Sequence, residues 1–103
     1  MNMPSRPHHF TVVELLQEDP LLMGEYLAVA LDEVDEQGGY EALLAALRHV
    51  AEVQGMAAVA ERAGIPRESL YRALSPNGNP TMKTLFAVLE AAGLKLSVSR
   101  AAA

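Results

Sequence analysis

The chain has 103 residues, 50% of them apolar, and a formal net charge of -5. That length fits one domain with enough apolar content to bury a core unaided, and the absence of cysteine excludes a disulfide framework and a thiolate metal site. No run of about 18 apolar residues is present to span a membrane, and the opening "MNMPSRPHHF" lacks the apolar segment of a secretory signal, so a cytoplasmic protein is expected.

The charge is unevenly placed. Residues 1–54 hold ten acids and two bases, Arg6 and Arg48, for a net -8. Residues 55–103 hold three acids and six bases, Arg62, Arg67, Arg72, Lys83, Lys95 and Arg100, for a net +3. The asymmetry suggests that the halves face different partners; the alternative is a solvated acidic helix beside a nearly neutral one.

Residues 1–10 carry two prolines and no periodicity, and read as a flexible lead. His8 and His9 are adjacent, so they point apart on a helix or strand and make a poor metal site; no metal or other cofactor is expected. Residues 11–37 read as an N-terminal helical extension. Thr11 begins a short helix with Glu14 at capping-box spacing. Asp19-Pro20 restarts the helix, Asp19 as N-cap and Pro20 at the first helical position, and the helix runs to about Glu36. Met23, Leu27, Ala30, Leu31 and Val34 share one face. Leu22, Tyr26 and Val29 widen the apolar arc beyond what one packing partner needs, leaving one side for the core and the other for a bound partner. The carboxylates Asp32, Glu33, Asp35 and Glu36 read as a solvated face rather than a divalent-ion site.

Residues 38–93 read as the main domain. Gly38 or Gly39 closes the preceding helix in the left-handed conformation. The next helix spans about Tyr40 to Gln54, with Leu43, Ala46, Leu47, Val50 and Val53 at helical spacing. Gly55 breaks it, and a helix of about eight residues turns Met56, Val59, Ala60 and Ala63 inward. Gly64-Ile65-Pro66 is a turn, and Pro66 suits the first turn of a helix reaching Leu74. "SPNGNP" at 75–80 is a loop. Thr81 caps a helix whose inner face is Met82, Leu85, Phe86 and Leu89, and Gly93 stops it. In the tail, residues 94–103, Leu94, Leu96 and Val98 alternate with Lys95, Ser97 and Ser99, the period of a half-buried strand. A second copy of that strand would complete a homodimer; the alternative is an irregular extension packed on its own domain.

The stretch "MAAVAERAGIPRESLYRAL" (56–74) has the spacing of a helix-turn-helix. Ala60 is small where the two helices touch, Gly64 tolerates positive φ in the turn, and Leu70 seats the second helix. Projected at about 100° per residue, Leu70, Ala73 and Leu74 face the core. Arg67, Glu68, Ser69, Tyr71 and Arg72 then fall on the outer face or its flanks. Arginine forks onto guanine, glutamate accepts from cytosine, and tyrosine reaches a phosphate or a thymine methyl. Gln54, Thr81, Lys83 and Thr84, near helix N-termini, are the candidates for phosphate contact.

"AALR", "GMAAVAERAG", "SLYRALS" and "GNPTMKTLFAVLEAAGLKL", with the upstream "LLQEDPLLMGEYLAVALDE", resemble the HigA-like antidotes of bacterial addiction modules, which carry a lambda-repressor-like, XRE-type helix-turn-helix. The resemblance covers residues 11–98. It implies an all-α bundle of about five helices with an N-terminal extension. It also implies a sequence-specific DNA-binding antitoxin that neutralises a small, mRNA-cleaving RelE-like toxin and represses its own operon as a transcriptional regulator. The recognition positions map onto Arg67, Glu68, Ser69, Tyr71 and Arg72. One departure is "GMAAVA", where many such repressors place a phosphate-touching glutamine; Gln54 stands nearby. Charge points to the acidic, apolar face of residues 20–36 for a basic toxin. The alternatives are a stand-alone XRE-type regulator and a protein-binding module without a toxin. An enzyme is not expected: no serine has a histidine at useful spacing, and no Gly-rich phosphate loop is present.

Overall fold

Apolar periodicity resolves into six α-helices among residues 11–102, which the computed structural model describes; His8 and His9, expected to make a poor metal site, lie outside the described residues. The helices are α1 (Val12–Glu18), α2 (Leu22–Asp32), α3 (Gly39–Gln54), α4 (Met56–Ala63), α5 (Arg67–Ala73) and α6 (Met82–Ala91). The fold is all-α.

Thr11 closes a full capping box on α1. Its side chain accepts from the Glu14 N–H at 3.1 Å, and its own N–H donates to Glu14 Oε1 at 2.9 Å. The box satisfies amide donors that a helix start leaves unpaired. Asp19 does not cap α2 as expected: it terminates α1, and its backbone carbonyl accepts from the Leu22 N–H at 3.0 Å. Pro20 and Leu21 form a turn ahead of the helix. α2 also ends at Asp32, short of Glu36. Acids at 32, 33, 35 and 36 oppose the negative end of the helix dipole and one another, so residues 33–38 fold into turns instead. Gly38 then opens α3 rather than closing α2.

α3 is the central helix and packs against α1, α2, α4 and α6. It buries Leu44, Ala46, Leu47, Val50 and Ala51, more than a single stripe, as a helix touched on several sides must. α3 and α4 meet at Gly55 with a bend of 106°. Among the described residues no single helix is long and apolar enough to cross a membrane. The bent α3–α4 pair has the length and composition, but its apolar faces lie in the core. Leu16, Met23 and Leu27 from α1 and α2 join Val50, Val59, Leu70 and Val88 in one cluster.

α4 turns Met56, Val59, Ala60 and Ala63 inward and packs most extensively on α6. The inner face of α6 differs from expectation. Thr84, Ala87, Val88 and Leu89 are buried, whereas Met82 and Phe86 are exposed. α6 carries two competing apolar stripes, and Ala60 and Ala63 on α4 favour the one whose small residues allow close approach.

No strand is present among the described residues, so the expected C-terminal strand is absent. α6 closes in a Schellman motif, with the Gly93 N–H donating to Glu90 O at 3.0 Å and the Leu94 N–H to Leu89 O at 2.8 Å. Leu94 packs on the core. Beyond it the alternating residues have no neighbouring strand to form a ladder, and alternation without a ladder makes no sheet.

Candidate nucleic-acid interface

The turn between α4 and α5 is a second Schellman motif. The Gly64 N–H donates to Glu61 O at 3.1 Å, and the Ile65 N–H donates to Ala60 O at 3.1 Å. Gly64 has φ +72°, a conformation glycine adopts without steric cost. Ala60 is buried, and Ile65 is half-buried against the core. Pro66 is the N-cap of α5, one position ahead of the first helical turn expected for it, in an extended conformation. Its fixed φ suits that position, and its missing N–H is one the helix would not have used.

α5 is seated from beneath by Leu70, and Leu74 at its C-cap is equally buried. Its last carbonyls lack intrahelical donors. Ser75 Oγ donates to Arg72 O at 2.8 Å, and Arg48 Nη1, reaching from α3, donates to Leu74 O at 2.8 Å. A cation there also complements the helix dipole. The following loop folds back on the same end. Gly78 passes so close that a Cβ on it would overlap Ala73 O and lie 2.8 Å from Arg72 O. Tyr40 Oη, at the start of α3, donates to Gly78 O at 3.3 Å. Arg48 and Tyr40 escaped the sequence reading. Each bonds a backbone carbonyl distant in sequence, and neither residue type nor local spacing signals such a partner.

Arg67, Glu68, Tyr71 and Arg72 are exposed on α5, and Ser69 is half-buried. Arg72 Nη2 donates weakly to Ser69 Oγ at 3.4 Å. Ser69, Arg72, Ser75, Asn77 and Asn79 line a polar groove along the end of α5 and its loop. Lys83 is exposed and reaches the α4–α5 turn, its Nζ 3.3 Å from the position a Cβ would take on Gly64. Arg62 and Lys83 line a further groove with Met82 and Phe86.

The remaining phosphate candidates are differently engaged. Thr81 caps α6: its Oγ1 accepts from the Thr84 N–H at 3.1 Å and donates to Thr84 Oγ1 at 3.1 Å. Thr84 itself is buried, because it belongs to the stripe facing α4, and its side chain does not reach the surface. Gln54 is half-buried, and its Nε2 donates to Met23 Sδ at 3.6 Å, so its amide is directed at α2.

α2 has its own tie to α3. Tyr26 Oη and His49 Nδ1 share a hydrogen bond of 2.7 Å, with ring centroids 6.0 Å apart. Burial, and after it the Arg48 charge, hold His49 below the ordinary histidine value, while Glu52 opposes them. Burial pushes the Tyr26 phenol up, with Arg48 opposing.

These features define a small helical protein that presents a short cationic helix on a firm seat and carries an acidic first half. A family model described as "probable addiction module antidote protein" matches residues 6–100, and the chain belongs to that family. A protein of Haemophilus influenzae described as uncharacterized is 38% identical over 76 residues, 74% of this chain and 78% of that protein. No solved structure matches. Membership in an antidote family implies a toxin partner in general terms.

Proposed function

We propose that the chain is a HigA-like, cytoplasmic antitoxin that neutralises a small RelE-like toxin and represses its own operon, α4 and α5 forming a lambda-repressor-like, XRE-type helix-turn-helix. In this reading residues 38–93 are the DNA-binding domain and residues 11–37 its extension. The observation that carries it is the disposition of α5. Leu70 and Leu74 seat it and Arg48 holds its end, leaving Arg67, Glu68, Tyr71 and Arg72 exposed. A helix so presented fits the major groove, where arginine reads guanine O6 and N7. Lys83 beside the turn and the capped start of α6 at Thr81 supply phosphate contacts. The acidic first half discourages non-specific binding, so affinity comes from specific contacts and from pairing of two copies. Met82 and Phe86 on α6, with Leu96 and Val98 in the tail, give a homodimer an exposed apolar surface.

The test is a mobility shift on the DNA upstream of the gene, with an inverted repeat whose half-sites lie about one helical turn apart. Arg72→Ala costs about 1–3 kcal/mol of binding and relaxes the preference at one base pair. If Arg67 and Arg72 can both be truncated without changing the shift, α5 is not the reading helix. Family membership favours this reading over a stand-alone regulator.

A further inference from the structure

Beyond α5, the molecule exposes two apolar surfaces, and their charge settings differ. One lies on α6 and the tail, where Met82, Phe86 and Leu96 sit among the bases Arg62, Lys83 and Lys95 and the acid Glu90. The other is a groove of about 390 Å³ between α1 and α2. Leu15, Leu22 and Val29 stand exposed along it, Tyr26 lines it, and Glu25 is its charged member. Leu21, 87% exposed, lies next to Leu22 in the turn that joins the two helices. From Thr11 to Leu47 the chain contains no lysine or arginine. Glu18, Asp19, Glu25 and Glu33 are all exposed on this segment.

We propose that the α1–α2 groove is the docking site for the toxin, and that it takes an amphipathic toxin helix whose apolar stripe is flanked by lysine or arginine. The inference rests on the antitoxin reading and names the surface and the chemistry of that partner. An RNA-cleaving protein must neutralise phosphates, so it carries a cationic RNA-facing surface, and covering that surface neutralises it. A cationic partner is drawn to the groove, where Glu25 is the charged residue, in preference to the α6 surface, where three bases outnumber Glu90. A second copy of the acidic face meets like charge, as does DNA. The groove therefore excludes its own copy and DNA; the basic α6 surface of a second copy is the competing occupant, and sedimentation of the groove variants tests it. An apolar stripe fitting between two helices follows the helix-in-groove mode of peptide recognition. Tyr26 presents a fixed wall to that stripe, because its hydroxyl is bonded to His49 at 2.7 Å.

The test uses the full chain and the purified product of the adjacent gene, with affinity measured by calorimetry at two salt concentrations. Glu25→Lys weakens binding about tenfold at low salt and less at high salt. Leu15→Asp combined with Val29→Asp weakens it about 100-fold. Both positions are exposed in part, so the free variant keeps a single cooperative thermal transition, lowered only slightly, and its operator shift is unchanged. Met82→Asp, on the other apolar surface, leaves toxin affinity within about twofold. Groove variants that bind the toxin with unchanged affinity overturn the proposal. So does a loss of toxin binding in Met82→Asp, or a groove double variant whose sedimentation shows that self-association, not toxin binding, has gone. If the original chain fails to bind the adjacent product, the antitoxin reading itself falls.

Discussion

α2 and α5 make an instructive pair. α2 buries Met23 and Leu27 and leaves Leu22, Glu25 and Val29 exposed; α5 buries Leu70 and leaves Arg67, Glu68, Tyr71 and Arg72 exposed. Both are tied to α3, and by consecutive residues. His49 bonds Tyr26 of α2, and Arg48 bonds the carbonyl of Leu74 at the end of α5. One scaffold helix thus carries an acidic, apolar surface and a cationic one. The net charge of -5 averages over both and describes neither.

The largest effects test whether the two regions are one unit. Leu27 and Leu70 belong to the same core cluster. Leu27→Ala and Leu70→Ala should each cost about 2–5 kcal/mol, and each should lower the midpoint of a single thermal transition. A Leu27→Ala protein that melts in two steps, α1 and α2 first, would divide the molecule between extension and domain. Next in size is Arg48→Met, which leaves a half-buried carbonyl without its charged donor and should cost about 1–3 kcal/mol. Operator affinity should fall with it, and Arg48→Lys should recover part of both losses. Toxin affinity should not change, since the Tyr26–His49 tie remains.

A smaller effect separates the two caps. Thr81→Ala should cost about 1 kcal/mol, seen as faster amide exchange at the start of α6; Thr11→Ala should do the same only at the start of α1. The smallest effect is pH dependence. His49 sits below its ordinary value of 6.5, so the unfolded chain takes up the proton first as pH falls. Its contribution is complete above that value and is lost as pH drops through the lower, folded one. Stability measured by denaturant titration should decline on acidification through this window, and His49→Gln should flatten that part of the curve.

Much of the fold was legible because it is local. The four inward residues of α4 follow from period alone, the threonine caps from their spacing, and the Gly64 turn from residue type. The α6 inner face was misread because the helix is apolar nearly all round, and only the alanines of α4 decide which stripe goes in. The tail has the period of a strand, but a strand also requires a neighbour, which period cannot reveal. The candidate site was legible in its outward residues on α5. Its supports were not, since Arg48 and Tyr40 act on backbone atoms 26 and 38 positions away. Thr84 was misplaced along with the stripe it belongs to.

The Arg48 bond ends on a main-chain oxygen, an acceptor that every residue type offers. The exposed side chains of α5, by contrast, have Arg72 to Ser69 as their one hydrogen bond to another side chain among the described residues. Replacing Arg67, Glu68, Tyr71 or Arg72 therefore leaves the anchoring of the helix intact. Such a design separates the letters from the page they are printed on. New combinations at these four positions can be drawn over evolutionary time, or in a library, without first having to rescue the fold.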